Sequence, residues 1–181
     1  SAKILRETDA HLLIVGDGAQ KTSLMKLCES LGIAERVKFT GCIALQDGLP
    51  EIYRLANLFV TASEIETQGI VLLEAAASGL PIAAVNATCI PEIVHHGVNG
   101  YLAEPGDAAG LGNYMTMILN DPLKAKTMGK AGRALVESHT AQRAMDLHEE
   151  LYQELLLESS VHFVEARVSR FRKFTKEWMK L

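Results

Sequence analysis

The chain has 181 residues, 48% of them hydrophobic, enough for one domain with a sizeable core and an appendage. Its longest apolar runs, 70–73 and 75–77, are far too short to span a membrane, and no segment shows the charged-then-apolar pattern of a secretory leader. The net charge of −4 is uneven: residues 161–181 hold six basic residues and two acids, so the rest carries −8 and lacks the basic face of a nucleic-acid binder.

In chain order, residues 1–9 are expected to form the end of a helix. His11-Leu-Leu-Ile-Val-Gly16 is a continuous apolar run stopped by glycine, the pattern of a parallel strand buried on both faces. Gly16-Asp-Gly18 turns the chain, and Leu24, Leu27, Cys28 and Leu31 follow at helical spacing before Gly32. The next strand, Arg36–Thr40, ends at Gly41. A loop to Pro50 and a short helix at 51–56 lead to a strand at 58–62. A loop 63–69, a helix from Ile70 to Gly79 and a strand at 81–85 come next. Beyond them are expected one helical turn at 93–96 and a last strand at 99–102. Asp107 is a good N-cap for a helix that Asn120-Asp-Pro122 breaks, and 124–138 and 141–157 read as two more helices. Alternating strands and helices of this length predict an α/β fold, a three-layer doubly wound parallel sheet.

Several motifs are absent or incomplete. Gly16-Asp-Gly18 lacks the third glycine of a dinucleotide fingerprint (Lys21 stands there), and the chain has neither a phosphate-binding P-loop nor a Gly-x-Ser-x-Gly elbow. Cys28, Cys42 and Cys89 are odd in number and widely spaced, which fits three small core-filling residues in a reducing cytoplasm. His95 and His96 precede Gly97 at a helix end, a capping or surface position.

The helix 70–79 is apolar on every face except for Glu74, so it is expected to be buried, and a buried carboxylate needs a partner. Glu66 stands eight positions earlier, where the chain approaches the helix, and Gly69 allows close backbone approach. Two acids flanking an amide-rich helix start suit a ligand that carries phosphate and hydroxyl groups together, a nucleotide-diphosphate sugar.

The stretch Glu66-Thr-Gln-Gly-Ile-Val-Leu-Leu-Glu74-Ala-Ala-Ala-Ser-Gly-Leu-Pro81 resembles the signature of retaining glycosyltransferases with the GT-B fold, family 4 (group 1): Glu, seven residues, Glu. The similarity extends to Leu13–Gly18, Arg36–Gly41, Tyr53-Arg-Leu-Ala-Asn57, Pro91–Leu102 and Pro105-Gly-Asp107. The resemblance implies the C-terminal, donor-binding half of such an enzyme. Residues 1–157 would be its Rossmann-like nucleotide-sugar-binding domain, and 158–181 a basic amphipathic helix. Glu66 would serve catalysis by contacting the transferred sugar and steadying the transition state. Thr67 and the backbone of Gln68, Gly69, Ile70 and Val71 would hold sugar and diphosphate, and Glu74 the ribose. Gly16 would lie beside the donor, and Gly41, Cys42 and Ile43 would frame the base. Such enzymes use no metal or other cofactor, because amides and basic side chains neutralise the leaving diphosphate. They retain anomeric configuration, with front-face attack in a short-lived ion pair.

Two departures from the family stand out. Its first strand of this half, with a Gly-Arg and a nearby Lys that clamp the diphosphate, is expected immediately before Ser1, and the acceptor domain before that. A fragment without them is expected to bind donor weakly and not to catalyse transfer alone. Secondly, Thr88-Cys89 stand where the family carries glycines. The alternative reading is a non-catalytic nucleotide- or sugar-binding Rossmann-like module. For the tail, Val161, Val164, Val168, Phe171 and Trp178 at helical spacing fit either packing on the partner domain or peripheral contact with a membrane inner face. The latter would suit synthesis of cell-envelope polysaccharide or glycolipid.

Overall fold

Short apolar runs become strands, and every strand pairs in parallel with its neighbour. The computed structural model describes residues 1–159 and divides the chain into two compact units, Ser1–Glu137 and Ser138–Leu181. In the first unit α1 (Ala2–Glu7), β1 (Leu12–Val15), α2 (Lys21–Ser30), β2 (Val37–Gly41), α3 (Leu49–Leu55) and β3 (Phe59–Val60) are followed by α4 (Ile70–Ala77) and β4 (Ile82–Val85). Then come α5 (Ile90–Ile93), β5 (Gly100–Ala103), α6 (Ala108–Leu119) and α7 (Pro122–Val136). The second unit contains α8 (Ala141–Ser159). The expected tail helix over 158–181 lies, from residue 160 on, outside the described residues.

β4 is the centre of the fold, because all four of its residues are buried. On one face Ala83 and Val85 pack with Tyr101, Leu111, Met115 and Ile118, and with Ile4 from α1. On the other, Ile82 and Ala84 meet Leu72, Ala75 and Ala76 of α4, with Ile90, Val94 and Val136. Helices thus cover both faces of β3-β4-β5, the layering expected of a doubly wound sheet. Local capping sets the helix starts: the carboxylate of Asp107 accepts from the Gly110 N–H at 2.8 Å, and that of Asp121 from the Lys124 N–H at 2.9 Å.

The pairing is interrupted between β1 and β3, so the strands form two parallel sheets, β1-β2 and β3-β4-β5. α1 belongs to both cores, because Ile4 joins the cluster on β4 and Leu5 joins Cys28 and Ile33 beneath β1 and β2. Burial of β1 on both faces is not observed. Leu12 and Ile14 are half-buried, but Leu13 and Val15 remain 40% and 38% exposed, since the third cluster covers one face only. The predicted apolar face of α2 is likewise only partly used: Cys28 is buried, but Leu24 and Leu27 are exposed.

Two smaller expectations are also corrected. The helical turn near 93–96 forms earlier, as α5, where Pro91 suits a first turn. His96 lies beyond it; its Nδ1 accepts from the Leu102 N–H at 3.1 Å, and its ring sits edge-on to Tyr101 and Tyr114. Of the three cysteines only Cys28 is buried; Cys89 is intermediate and Cys42 is exposed in the loop after β2.

Candidate functional site

The loop from β3 into α4 is built around the carboxylate of Glu66. Its Oε1 accepts from the backbone N–H groups of Thr67 and Gly69, both at 3.1 Å, so the side chain folds back over its own loop. Ser63 supports the turn, its hydroxyl donating to the Ile65 carbonyl at 2.9 Å. Gly69 is the N-cap of α4 with φ 66°, a left-handed conformation that favours glycine. It is buried under Ile93 and Cys89, where a Cβ would collide with the Ile93 side chain.

Beyond Gly69 the N–H groups of Ile70 and Val71 have no backbone acceptor, as the first amides of any helix do not. The expected burial of α4 holds for Leu72, Ala75 and Ala76, but Ile70 and Val71 are 54% and 41% exposed. One side of that first turn is open at Ile70 and Val71, while Leu72 on the other side packs with Ile90 and Val94. The helix dipole adds partial positive charge there.

Glu74, about one turn further along, has found the partner a half-buried carboxylate needs. Its Oε2 accepts from the Tyr53 hydroxyl of α3 at 2.8 Å. Burial pushes the Tyr53 hydroxyl well above its ordinary pKa, and the hydrogen bond to the Glu74 carboxylate adds to the shift. Tyr53 and Glu74 line a hollow of about 110 Å³ together with Leu45, Leu49, Pro50 and Ser78. Tyr53 is the site residue that sequence reasoning left without a role, because 21 positions separate it from Glu74.

The other predicted residues form a second group. Gly16 and Gly41 meet at the ends of β1 and β2, the Gly16 N–H donating to the Gly41 carbonyl at 2.8 Å. Cys42 and Ile43 follow, exposed and half-buried. Among the described residues no hydrogen bond joins this group to Glu66 or Glu74. Thr67 and Gln68 are exposed at the tip of the α4 loop.

Lys21, at the glycine turn, is held 2.9 Å from Asp17, and that contact keeps the Asp17 carboxyl below its usual range. None of the ion pairs among the described residues involves Glu66 or Glu74. Among the described residues the hydrogen-bond donors to these carboxylates are the Thr67 and Gly69 amides at Glu66 and the Tyr53 hydroxyl at Glu74.

The loop after β4 meets the Glu66 loop. Thr88 has φ 48°, the only positive φ at a non-glycine among the described residues, and its hydroxyl oxygen accepts from the Glu66 N–H at 3.2 Å.

Comparison with known proteins gives the family and the fold. The model of the family described as glycosyl transferases group 1 matches residues 1–135. The chain is 36% identical over 156 residues to N-acetyl-alpha-D-glucosaminyl L-malate synthase of Bacillus anthracis, covering 86% of the chain and 40% of that protein. It is 36% identical over 151 residues to a GDP-mannose-dependent phosphatidylinositol monomannoside mannosyltransferase of Mycobacterium tuberculosis, covering 79% and 38%. Among solved structures, HepE of Anabaena in complex with UDP-glucose aligns with a TM-score of 0.71 at 29% identity, covering 79% of the chain and 41% of HepE. The chain thus spans about two fifths of the length of these relatives. With its parallel α/β layers and its Glu66-to-Glu74 helix start, the chain belongs to the group 1 glycosyl transferases and carries a Rossmann-like half of their GT-B fold.

Proposed function

We propose that this chain is the donor-binding half of a retaining glycosyltransferase that moves a sugar from a nucleotide-diphosphate sugar to a glycan or lipid acceptor. One observation carries the reading: two carboxylates, Glu66 and Glu74, bracket the open amides of Ile70 and Val71. Carboxylates accept hydrogen bonds from sugar hydroxyls, and helix-start amides accept phosphate. In this reading Glu66 meets the transferred sugar and steadies positive charge at its anomeric carbon. The amides take the diphosphate. Glu74 takes the ribose through the oxygen that Tyr53 does not use, and Gly41, Cys42 and Ile43 border the base. The UDP-glucose of HepE and the GDP-mannose named for the mycobacterial relative support a nucleotide-sugar donor.

The chain's short span relative to its relatives, and the lack among the described residues of ion-paired cations at Glu66 and Glu74, support a second part of the proposal. Polypeptide outside these residues supplies the acceptor site and the basic groups that neutralise the leaving diphosphate without a metal. The chain by itself is then expected to bind UDP-glucose or GDP-mannose weakly and to transfer nothing.

The test is calorimetry of the chain with both donors, set beside transfer by the full-length enzyme and its Glu66→Ala and Glu74→Ala variants. Loss of an electrostatic contact made in the transition state costs about 100-fold or more in kcat, the expectation for Glu66→Ala. Glu74→Ala is expected to weaken donor binding chiefly. Full activity of Glu66→Ala, or robust turnover by the isolated chain, would overturn the assignment.

A further inference from the structure

Thr88 occupies a conformation that its side chain opposes. A β-branched residue at φ 48° is strained, and such strain persists only where the surroundings impose it. Here the surroundings are a hydrogen-bonded turn. The Ala87 N–H donates to the Val85 carbonyl at 3.0 Å and the Ile90 N–H to the Ala87 carbonyl at 3.1 Å, which leaves residue 88 at the tip. Glycine would adopt the same backbone without strain.

Threonine there does something glycine cannot. Its hydroxyl oxygen accepts from the Glu66 N–H across 22 positions of sequence. The adjoining Cys89 and, one helical turn on, Ile93 close over Gly69, where there is no room for a side chain. The β4–α5 loop thus grips the β3–α4 loop twice, by a hydrogen bond at Glu66 and by apolar contact at Gly69. Between these points the Glu66 carboxylate is held by the amides of Thr67 and Gly69.

We infer that Thr88 is a positioning residue: its hydroxyl fixes the backbone of Glu66 and so the place of the Glu66 carboxylate against the donor sugar. The inference rests on the donor-site reading of Glu66. It explains why a strained threonine stands at the tip of that turn.

The experiment compares Thr88→Val, Thr88→Gly and Thr88→Ser in the full-length enzyme, with Glu66→Ala alongside, on UDP-glucose and GDP-mannose. Amide hydrogen exchange at Glu66 is followed in the chain itself. Thr88→Val keeps the shape and loses the acceptor; it is expected to lower kcat about tenfold with donor KM within about twofold. Thr88→Gly relieves the strain but also lacks the hydroxyl. Its Tm is expected to stay within about 3 °C of the parent while kcat falls as in Thr88→Val, a split that a purely structural role would not produce. Thr88→Ser restores the acceptor and should keep parental kcat. Faster exchange of the Glu66 amide in the Val and Gly variants, but not in Ser, is expected whatever the donor. Parental kcat or parental Glu66 exchange in the Val and Gly variants, with Glu66→Ala inactive, overturns the role of Thr88 and leaves the site assignment standing. An active Glu66→Ala removes the site assignment and the inference with it.

Discussion

Replacing Tyr53 by Phe removes one oxygen and leaves the ring, which packs 6.0 Å from Phe59 between centroids. The oxygen donates to Glu74 Oε2 at 2.8 Å, a neutral donor on a charged acceptor. Such bonds contribute about 1.5–3 kcal/mol when buried, and the half-buried setting points to the low end. In the proposed site the bond leaves Oε1 of Glu74 free for the ribose. Without it the carboxylate must be reoriented from a mobile state before each binding event. A loss of about 1.4 kcal/mol corresponds to a tenfold rise in donor Kd. The assay is titration of UDP into parent and Tyr53→Phe full-length enzyme, followed by kcat at saturating donor. Kd should rise about tenfold with kcat within about twofold, because the ribose contact is made equally in ground and transition states. The pH dependence follows from the raised Tyr53 pKa. Its contribution is fully present below the unfolded value near 10 and is lost as pH rises through the higher folded value. The Kd ratio between the two proteins should therefore be flat from pH 6 to 9. An unchanged Kd in Tyr53→Phe, with Glu74→Ala weakened, would refute the claim that the hydroxyl organises Glu74.

Two further substitutions test the frame that carries the site. Asn99 is fully buried; its Oδ1 accepts from the His95 N–H at 2.7 Å and its Nδ2 donates to the Ile93 carbonyl at 2.9 Å. Asn99→Ala strands both backbone groups, a cost of about 3 kcal/mol that urea unfolding should register as a lower midpoint at unchanged slope. Gly69→Ala places a methyl group into Ile93 and a Cβ on a backbone at φ 66°. It should destabilise by about 2 kcal/mol or more and lower kcat as well, because the Glu66 loop moves with it. A variant as stable and active as the parent would show that the contact with Ile93 is not tight.

The β–α alternation, the capping acid Asp107 and the Glu66-to-Glu74 spacing are properties of neighbouring residues, and so they could be read from the sequence. Local chemistry determines them: glycine ends strands, a side-chain oxygen caps the amide three positions ahead, and a helix start exposes its first amides whatever surrounds it. The tertiary structure decided the rest. Whether an apolar strand is covered depends on what packs over it, which is why Leu13 and Val15 lie open although their sequence reads as core. The break of the strands into two parallel sheets depends on which edges meet, and an apolar run carries no record of its partner. Tyr53 met Glu74, and Thr88 met Glu66, across more than twenty positions. Each pair joins residues on separate elements, so only the packing of α3 on α4, and of the β4–α5 loop on the β3–α4 loop, could bring them together.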